Sequence, residues 1–449
     1  MGDVRLAARG AWVEQRIVEC GSLVVRQVGG DRAGEMATHR YLSNKDVTPD
    51  DIVSAALART QQAAHGRHIV AVQDTTEINF SGRDRTRPGL GPAGDGKGLG
   101  FFVHPLIAIE RDEGAVLGIV DAKVWTRPGK AKLHRHKRAL ADKESRRWIE
   151  MTQSASERLA GAASVVVTGD RESDIFALFV RCPPEIDFVV RAARNRCTTC
   201  PETGRKTDAL SFEAMRALAC VARLDVDLPA RAGQPKRTAH LDIRAGAITL
   251  ARPANSHLDD CPKHITVNAV EVFEAHPPPG VTALHWRLYT TLPVATAAEA
   301  CEIVGIYRLR WRIEEVFRVF KSEGLDIEAT QVEQAGRLFN LAALGLTAAA
   351  RIIQLRDARD GSARPASDVI DPGDHAAIAA IGVTLEGTTM RQKNPHPAGG
   401  LAWLAWIVAR LGGWNCYYRP PGPKTMATGW RKLQDRITGY HLANAIQNV

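Results

Sequence analysis

The hydrophobic pattern changes its period near residue 66, and this change limits the fold more than any other feature of the chain. Residues 1–65 carry apolar side chains at helical spacing, and the segment that begins Thr48-Pro49 is typical of a capped helix start. From residue 68 onward, the runs 68–74, 100–110 and 115–125 are apolar, rich in β-branched residues and of strand length. We therefore expect a helical module followed by buried strands.

Helices and strands then alternate along the chain. Residues 140–161 and 173–182 have helical patterns, and residues 164–170 and 188–194 have strand patterns. This alternation predicts an α/β domain with a mixed sheet and helices packed on it. Residues 197–295 are polar and strand-like, which indicates a β insertion, and one long helix is predicted after Thr296. The predicted domains are helical at 1–66, α/β at 67–335 and helical at 336–449.

The composition is that of a soluble globular protein. Of the 449 residues, 45% are hydrophobic and 24% are charged, which excludes wholesale disorder. No uninterrupted apolar run reaches the ~18 residues of a membrane span. The first residues carry acids and arginines where a secretory signal needs an apolar segment. We therefore expect a cytoplasmic protein.

The charge distribution favours a polyanionic partner. The formal net charge is +9. Ten Lys or Arg residues lie between Lys123 and Arg147, and only Asp142 and Glu144 oppose them. Such a run is typical either of a solvated surface or of a contact with a phosphate backbone, and both interpretations stay open.

Cysteine spacing offers one candidate metal site. Of the eight cysteines, only Cys197 and Cys200 have ligand spacing. A four-ligand zinc site needs a second pair, and the sequence contains no second CxxC or HxxxH segment. Two ordinary loop thiols are therefore the expectation, with structural zinc as the alternative.

Two carboxylates end predicted strands. Asp74 closes the run 68–74, and Asp170 closes the run 164–170. An acid at the carboxyl end of a strand faces the crevice where α/β folds bind ligands. For a single Asp, an Asx-turn or a helix N-cap is the simpler interpretation. Two such acids on two strands favour a site.

The predicted helix after Thr296 has two contrasting faces. At ~100° per residue, one stripe of ~60° is polar, and it consists of Tyr307, Arg310, Glu314 and Lys321. The opposite stripe is apolar. The alternative interpretation of the polar stripe is an exposed helix face with Glu/Lys pairs, which stabilise a helix by ~0.3 kcal/mol each. Glu315 lies outside the polar stripe, so Glu314 is the candidate site residue.

These residues together resemble a known family. The segments DTT at 74–76, GDRESDIF at 169–176 and YRLRWRIEEVFRVFK at 307–321 are similar to the cut-and-paste DDE transposases of the insertion-sequence-four family, which includes the transposon-five transposase. The last segment matches the family's Y-(2)-R-(3)-E-(6)-K signature without a gap. The resemblance also covers HRYLSNKDVTPDDI, GFFVHPLIAIE, KESRRW, LHWRLYTTLPV and WIVARLGGW.

The resemblance implies an RNase H-like catalytic domain interrupted by the β insertion. Asp74, Asp170 and Glu314 would form its catalytic and metal-binding triad. Three carboxylates supply the hard oxygen ligands that suit two Mg²⁺ or Mn²⁺ ions in phosphoryl transfer. The implied activity is metal-dependent DNA cleavage followed by strand transfer.

The resemblance also implies which residues bind DNA. Tyr307, Arg310 and Lys321 would hold phosphates of the transposon end, with Tyr307 and Arg310 near a flipped base. Trp286 would stack on that base, although a strand tryptophan is also a common core residue. Arg191 is a further DNA-binding candidate.

The implied partners are double-stranded DNA and a second copy of the chain. The helical module at 1–66 would bind the inverted-repeat ends, and the helices at 336–449 would form the homodimer that pairs two ends before attack on target DNA. The resemblance places such a protein at a bacterial nucleoid. Two alternatives remain: a catalytically silent, transposon-derived DNA-binding protein, and an RNase H-like nuclease without strand transfer.

Overall fold

A computed structural model describes most of the chain, and the chain folds as two compact units. Unit 1 comprises Met1–Gly66, Thr75–Lys130 and Arg312–Val449, and unit 2 comprises Arg67–Asp74 and Ala131–Trp311. The described residues are 3–80, 87–94, 98–127, 144–228, 235–254, 258, 260–322, 325–359, 361–362, 364–417 and 420–447. Most of the basic run between Lys123 and Arg147 lies outside them.

The α-helices of the described residues follow one another in chain order. They are α1 (Val4–Cys20), α2 (Val25–Gly29), α3 (Arg32–Leu42), α4 (Pro49–Ala64), α5 (Arg146–Arg158), α6 (Phe176–Arg181), α7 (Ser211–Ala217), α8 (Ala297–Leu309), α9 (Arg312–Lys321), α10 (Ala335–Ala358), α11 (His375–Leu385), α12 (Leu401–Leu411) and α13 (Pro423–Gln447).

The β-strands of the described residues include every strand that the hydrophobic runs predict. They are β1 (His68–Gln73), β2 (Thr76–Asn79), β3 (Gly91–Ala93), β4 (Gly98–Glu110), β5 (Val116–Trp125), β6 (Ser164–Gly169), β7 (Asp187–Arg191), β8 (Cys197–Thr199), β9 (Lys206–Leu210), β10 (Cys220–Leu228), β11 (Arg237–Ala251), β12 (His264–Glu274) and β13 (His285–Thr290).

Unit 1 packs helices against an antiparallel sheet. Strands β2, β3 and β5 all pair with β4. The predicted cap of α4 is confirmed, because Thr48 and Asp51 form a reciprocal capping box. Helix α10 anchors the N-terminal helices, since Asn340 Nδ2 donates to the carbonyls of Leu42 and Val47 at 3.1 and 2.9 Å.

Helix α10 is also the most apolar long helix among the described residues. Its length and composition would allow it to cross a membrane, but 89% of its most apolar window is buried within the fold. Burial on all sides is what a core helix of a globular domain requires. Nothing in this helix indicates a membrane protein.

Unit 2 is built on a mixed sheet. The strand order is β1-β6-β7-β13-β12-β11-β8-β9, and β10 also pairs with β11. Strand β6 runs parallel to β1 and to β7, whereas β13 runs antiparallel to β7, with Tyr289 opposite Val190. The strands of the predicted insertion therefore continue the sheet. This arrangement confirms the prediction of a mixed α/β fold.

Aromatic side chains fill the core of unit 2. Phe179 stacks on Phe188 at 5.2 Å between ring centroids and meets Tyr289 edge-on at 5.7 Å. Trp148, on α5, is fully buried in the same cluster. Burial raises the pKa of Tyr289 to about 12. These contacts hold α5 and α6 against the sheet that carries Asp74 and Asp170.

The prediction of one long helix after Thr296 is wrong. Helix α8 ends at Leu309 and α9 begins at Arg312. Between them, the Arg310 and Trp311 amides donate to Tyr307 and Arg308 at 3.1 and 3.2 Å. These i→i−3 bonds tighten the chain into a 3₁₀-type turn. The polar stripe predicted for a continuous helix is thus divided between the two units.

Ion pairs on each side of the break give its physical reason. The Arg310 side chain pairs with Asp74 in unit 2. The Arg312 side chain pairs with Glu315 and Asp357 in unit 1. Because neighbouring arginines are held by different units, the helical hydrogen-bond pattern is interrupted between them.

Candidate active site

Asp74 and Asp170 occupy equivalent positions on neighbouring strands. The parallel register of β1 and β6 places Val72 opposite Thr168. Asp74 lies two residues after Val72, and Asp170 lies two residues after Thr168. Each aspartate therefore directly follows the last residue of its strand. Parallel strands lie about 4.8 Å apart. The two carboxylates therefore emerge side by side at the carboxyl edge of the sheet, where α/β folds bind ligands.

The Asp170 carboxylate is oriented by its own turn. Its Oδ1 accepts the Glu172 amide at 2.8 Å and caps the 3₁₀ helix Arg171–Ser173. The N-cap interpretation of the sequence is therefore correct for one carboxylate oxygen. Within the described part of the chain, Oδ2 has no hydrogen-bond or ion-pair partner. One oxygen thus fixes the side chain, and the other remains available to a ligand.

Gly169 allows this turn to close. A Cβ at Gly169 would lie 2.7 Å from both Trp148 Cζ3 and Ser173 Oγ. Real Cβ atoms do not approach that closely, and the fully buried Trp148 has no room to move aside. The glycine therefore lets the Asp170 turn pack directly on the core.

Gly169→Ala should move the Asp170 turn. We expect a loss of about 1–3 kcal/mol in the free energy of unfolding, because overpacking forces shifts of backbone and side chains. Urea unfolding followed by circular dichroism measures it. The control is Gly305→Ala, because nothing lies within 4 Å of the added Cβ. Gly280→Ala would not serve as a control, because Gly280 has a φ of 76°, a backbone conformation that alanine adopts only with strain. Equal stability of the Gly169 and Gly305 variants would contradict the argument.

Asp74 is held by the signature arginine. Arg310 Nη1 donates to Asp74 Oδ2 at 2.9 Å, and the two side chains are only 12% and 14% exposed. The Arg310 guanidinium also lies 5.9 Å from the centre of the Tyr307 ring. The hydroxyl of the buried Tyr307 has no hydrogen-bond partner among the described residues. Arg310 therefore supplies the positive charge beside Asp74.

The same group includes the predicted stacking tryptophan. Trp286 lies on β13, and its ring meets that of Tyr307 edge-on at 5.8 Å. Trp286 is half-buried. The structure thus brings Trp286, Tyr307, Arg310 and Asp74 together within unit 2. Arg191, at the end of β7, instead donates to the His285 carbonyl at 3.2 Å.

Glu314 and Lys321 lie on α9 in unit 1. Glu314 is half-buried in the first turn of this helix. Lys321 Nζ donates to the Glu77 carbonyl at 2.8 Å and lies 3.9 Å from the Glu328 carboxylate. The neighbouring Glu315 pairs with Arg312 at 2.5 Å and also with Arg356. Glu315 therefore has a structural role on this helix.

The side chains that could bind a metal ion are carboxylates and thiols. Among the described residues, no group of three or more His, Cys, Asp or Glu side chains is arranged to hold a metal ion. The adjacent Asp74 and Asp170 nevertheless supply hard oxygen donors, which fit Mg²⁺ or Mn²⁺ chemically. Cys197 and Cys200 are free thiols, and Cys200 Sγ contacts Glu202 at 2.8 Å.

Two features were not predicted from the sequence. The first is Trp311, which is 52% exposed at the break between α8 and α9. The sequence pattern that could have indicated an exposed tryptophan is its position between Arg310 and Arg312. Asp174 forms a buried ion pair with Arg196 at 2.5 Å. No local sequence pattern predicts this ion pair, because its two residues are 22 positions apart in the chain.

A comparison with known families supports a DDE transposase. Residues 186–350 match the family model described as "Transposase DDE domain". A DDE domain implies an RNase H-like fold, in agreement with the mixed sheet and its flanking helices. The matched range covers less than half of the chain. It includes Trp286 and the Y-R-E-K residues, and it begins after Asp74 and Asp170.

Proposed function

We propose that this protein is a cut-and-paste transposase similar to those of the insertion-sequence-four family. It would bind the inverted-repeat ends of a transposon, cleave the DNA in a metal-dependent reaction and transfer the freed strand to target DNA. The observation that carries the proposal is the pair of carboxylates side by side at the ends of β1 and β6, with the signature Arg310 bound to one of them.

The proposed triad is Asp74, Asp170 and Glu314, which would hold two Mg²⁺ or Mn²⁺ ions. When bound, such ions activate an attacking hydroxyl and stabilise the leaving oxygen in phosphoryl transfer. The protein's own contribution is positioning. The Glu172 amide orients Asp170, and Arg310 orients Asp74 and balances its charge.

The proposed DNA contacts follow from the chemistry of the side chains concerned. Tyr307, Arg310 and Lys321 would hold phosphates of the DNA end, and Arg191 would add a further basic contact. The half-buried Trp286 would stack on a base. The exposed Trp311 is a second aromatic surface suited to a base.

The proposed domain roles extend to the helical regions. Residues 1–66 would bind the transposon end, residues 67–335 would form the catalytic domain with its insertion at 197–295, and residues 336–449 would form the homodimer. A DNA-bound protein of this kind would be nucleoid-associated.

One cleavage experiment tests the proposal. Purified protein is incubated with a labelled duplex that carries the terminal repeats flanking the gene, with Mg²⁺, Mn²⁺ or a chelator. We expect cleavage at the repeat boundary only with metal, followed by joining of the 3′ end to target DNA. Binding without cleavage would favour the silent DNA-binding protein. Cleavage without joining would favour the nuclease.

A further inference from the structure

Gln73 is a buried polar residue at the end of an otherwise apolar strand. It is the last residue of β1 and directly precedes Asp74. The four residues before it, Ile69 to Val72, are apolar and fully buried, and Gln73 is also 0% exposed. Burying an amide costs free energy unless its hydrogen bonds are made inside the protein. A glutamine at this position therefore points to specific buried partners.

The partners of the Gln73 amide lie on one turn of α5. Gln73 Nε2 donates to the Trp148 carbonyl at 3.3 Å and to Thr152 Oγ1 at 3.1 Å. Thr152 is 1% exposed, and its hydroxyl donates to the same Trp148 carbonyl at 2.8 Å. Hydrogen bonds in such a buried place are strong because water does not compete for them. They attach the end of β1 to α5 immediately before Asp74.

The same turn of α5 also packs against the end of β6. Gly169 is the last residue of β6, and it precedes Asp170 as Gln73 precedes Asp74. The Trp148 ring lies so close to Gly169 that an added Cβ would be 2.7 Å from Cζ3. Trp148 thus contacts both strand ends, one through its carbonyl and the other through its ring.

A third contact of α5 reaches the turn that follows Asp170. The buried Arg147 donates through Nη2 to the Glu172 carboxylate at 2.7 Å. The Glu172 amide is the group that Asp170 Oδ1 accepts. The first turn of α5 therefore holds the residue before Asp74, the residue before Asp170 and the turn after Asp170.

We propose that Gln73 is a positioning residue that fixes the separation of the Asp74 and Asp170 carboxylates by holding both strand ends on α5. Arg310 orients the Asp74 side chain, whereas Gln73 fixes the backbone from which that side chain projects. Two carboxylates that share a divalent cation must both lie at coordination distance, so a small shift of either weakens binding. The identity of that cation as the metal of a transposase rests on the proposed function.

Mn²⁺ binding by the full-length chain, without DNA, tests this proposal. Gln73→Met keeps the length of the side chain and removes its donor. The control Gln153→Met makes the same substitution on the exposed face of α5. Thr152→Val removes the hydroxyl that accepts the amide, and Thr152→Ser retains it. The electron paramagnetic resonance signal of free Mn²⁺ gives the Kd of each protein, at a temperature where circular dichroism shows that it is folded.

We expect Gln73→Met to weaken Mn²⁺ binding about tenfold, the usual effect of losing a residue that supports metal ligands. Gln153→Met and Thr152→Ser should bind Mn²⁺ as the wild type does. Thr152→Val should have a smaller effect, because the Trp148 carbonyl still accepts the amide. Adding Thr152→Val to Gln73→Met should change little more, because both substitutions remove the same bond. Lower stability of Gln73→Met with an unchanged Mn²⁺ affinity would mean a purely structural role and would overturn the proposal.

Asp170→Asn and the cleavage assay separate this inference from the proposed function. Mn²⁺ binding that Asp170→Asn loses would place the ion at the strand ends, as the inference requires. Weaker Mn²⁺ binding by Gln73→Met in a protein that never cleaves the terminal-repeat duplex would support the positioning role and contradict the transposase. Metal-dependent cleavage by the wild type, with equal Mn²⁺ affinities of the wild type and Gln73→Met, would do the reverse.

Discussion

Asp170→Asn is expected to reduce metal-dependent DNA cleavage at least ~10³-fold, since losing a metal ligand removes several kcal/mol of transition-state stabilisation. The amide keeps the acceptor that caps the turn at Glu172, so the fold should persist. DNA affinity should change little, because binding depends on cationic groups. The measurement is single-turnover cleavage of the terminal-repeat duplex with Mg²⁺ or Mn²⁺, alongside anisotropy for binding.

Four other acids supply the controls for this experiment. Asp208→Asn changes an exposed carboxylate on β9 and should cleave as the wild type does. Asp74→Asn and Glu314→Gln should lose cleavage as Asp170→Asn does. Glu315→Gln should instead weaken the ion pairs with Arg312 and Arg356 and so destabilise the protein. The Glu315→Gln protein that remains folded should still cleave DNA. An inactive Glu315 variant beside an active Glu314 variant would show that the triad is assigned wrongly.

Asp174→Ala is expected to lower the free energy of unfolding by about 3–5 kcal/mol, the usual cost of removing one partner of a buried ion pair. The side chains of Asp174 and Arg196 are 0% and 5% exposed. Asp174 Oδ2 also accepts the amides of Ala193 and Arg194 at 2.8 and 2.7 Å. The substitution would leave a buried guanidinium without its counter-ion and two backbone amides without their acceptor. Urea unfolding monitored by tryptophan fluorescence measures the loss.

An exposed ion pair of the same unit provides the comparison. Asp260 pairs with Arg181 at 2.5 Å, but these side chains are 63% and 36% exposed. Asp260→Ala should cost less than about 1 kcal/mol, because water screens exposed pairs. The double variant Asp174→Leu/Arg196→Met should recover part of the loss, since no buried charge then remains. Similar losses for the Asp174 and Asp260 single variants would refute the structural role of Asp174.

Local elements were predictable because their determinants lie close together in the chain. The apolar runs at 68–74 and 164–170 correspond to β1 and β6, and the capping residues Thr48 and Asp51 mark the start of α4. Apolar periodicity and capping act over a few residues, so the sequence displays them directly. The positions of Asp74 and Asp170 at strand ends followed from the same local signals.

Which of these elements meet depends on contacts between distant parts of the chain. The adjacency of the Asp74 and Asp170 strand ends depends on the parallel pairing of β1 with β6. The break between α8 and α9 depends partly on the pairing of Arg310 with Asp74, which lie 236 residues apart. Strand pairing and buried ion pairs form between groups that the complete fold brings together. A local sequence pattern therefore does not identify the distant partner. Local patterns were therefore sufficient to predict the strands before Asp74 and Asp170, the start of α4 and the candidate acids, whereas the complete fold was needed to show where the helix after Thr296 breaks and what holds Asp74.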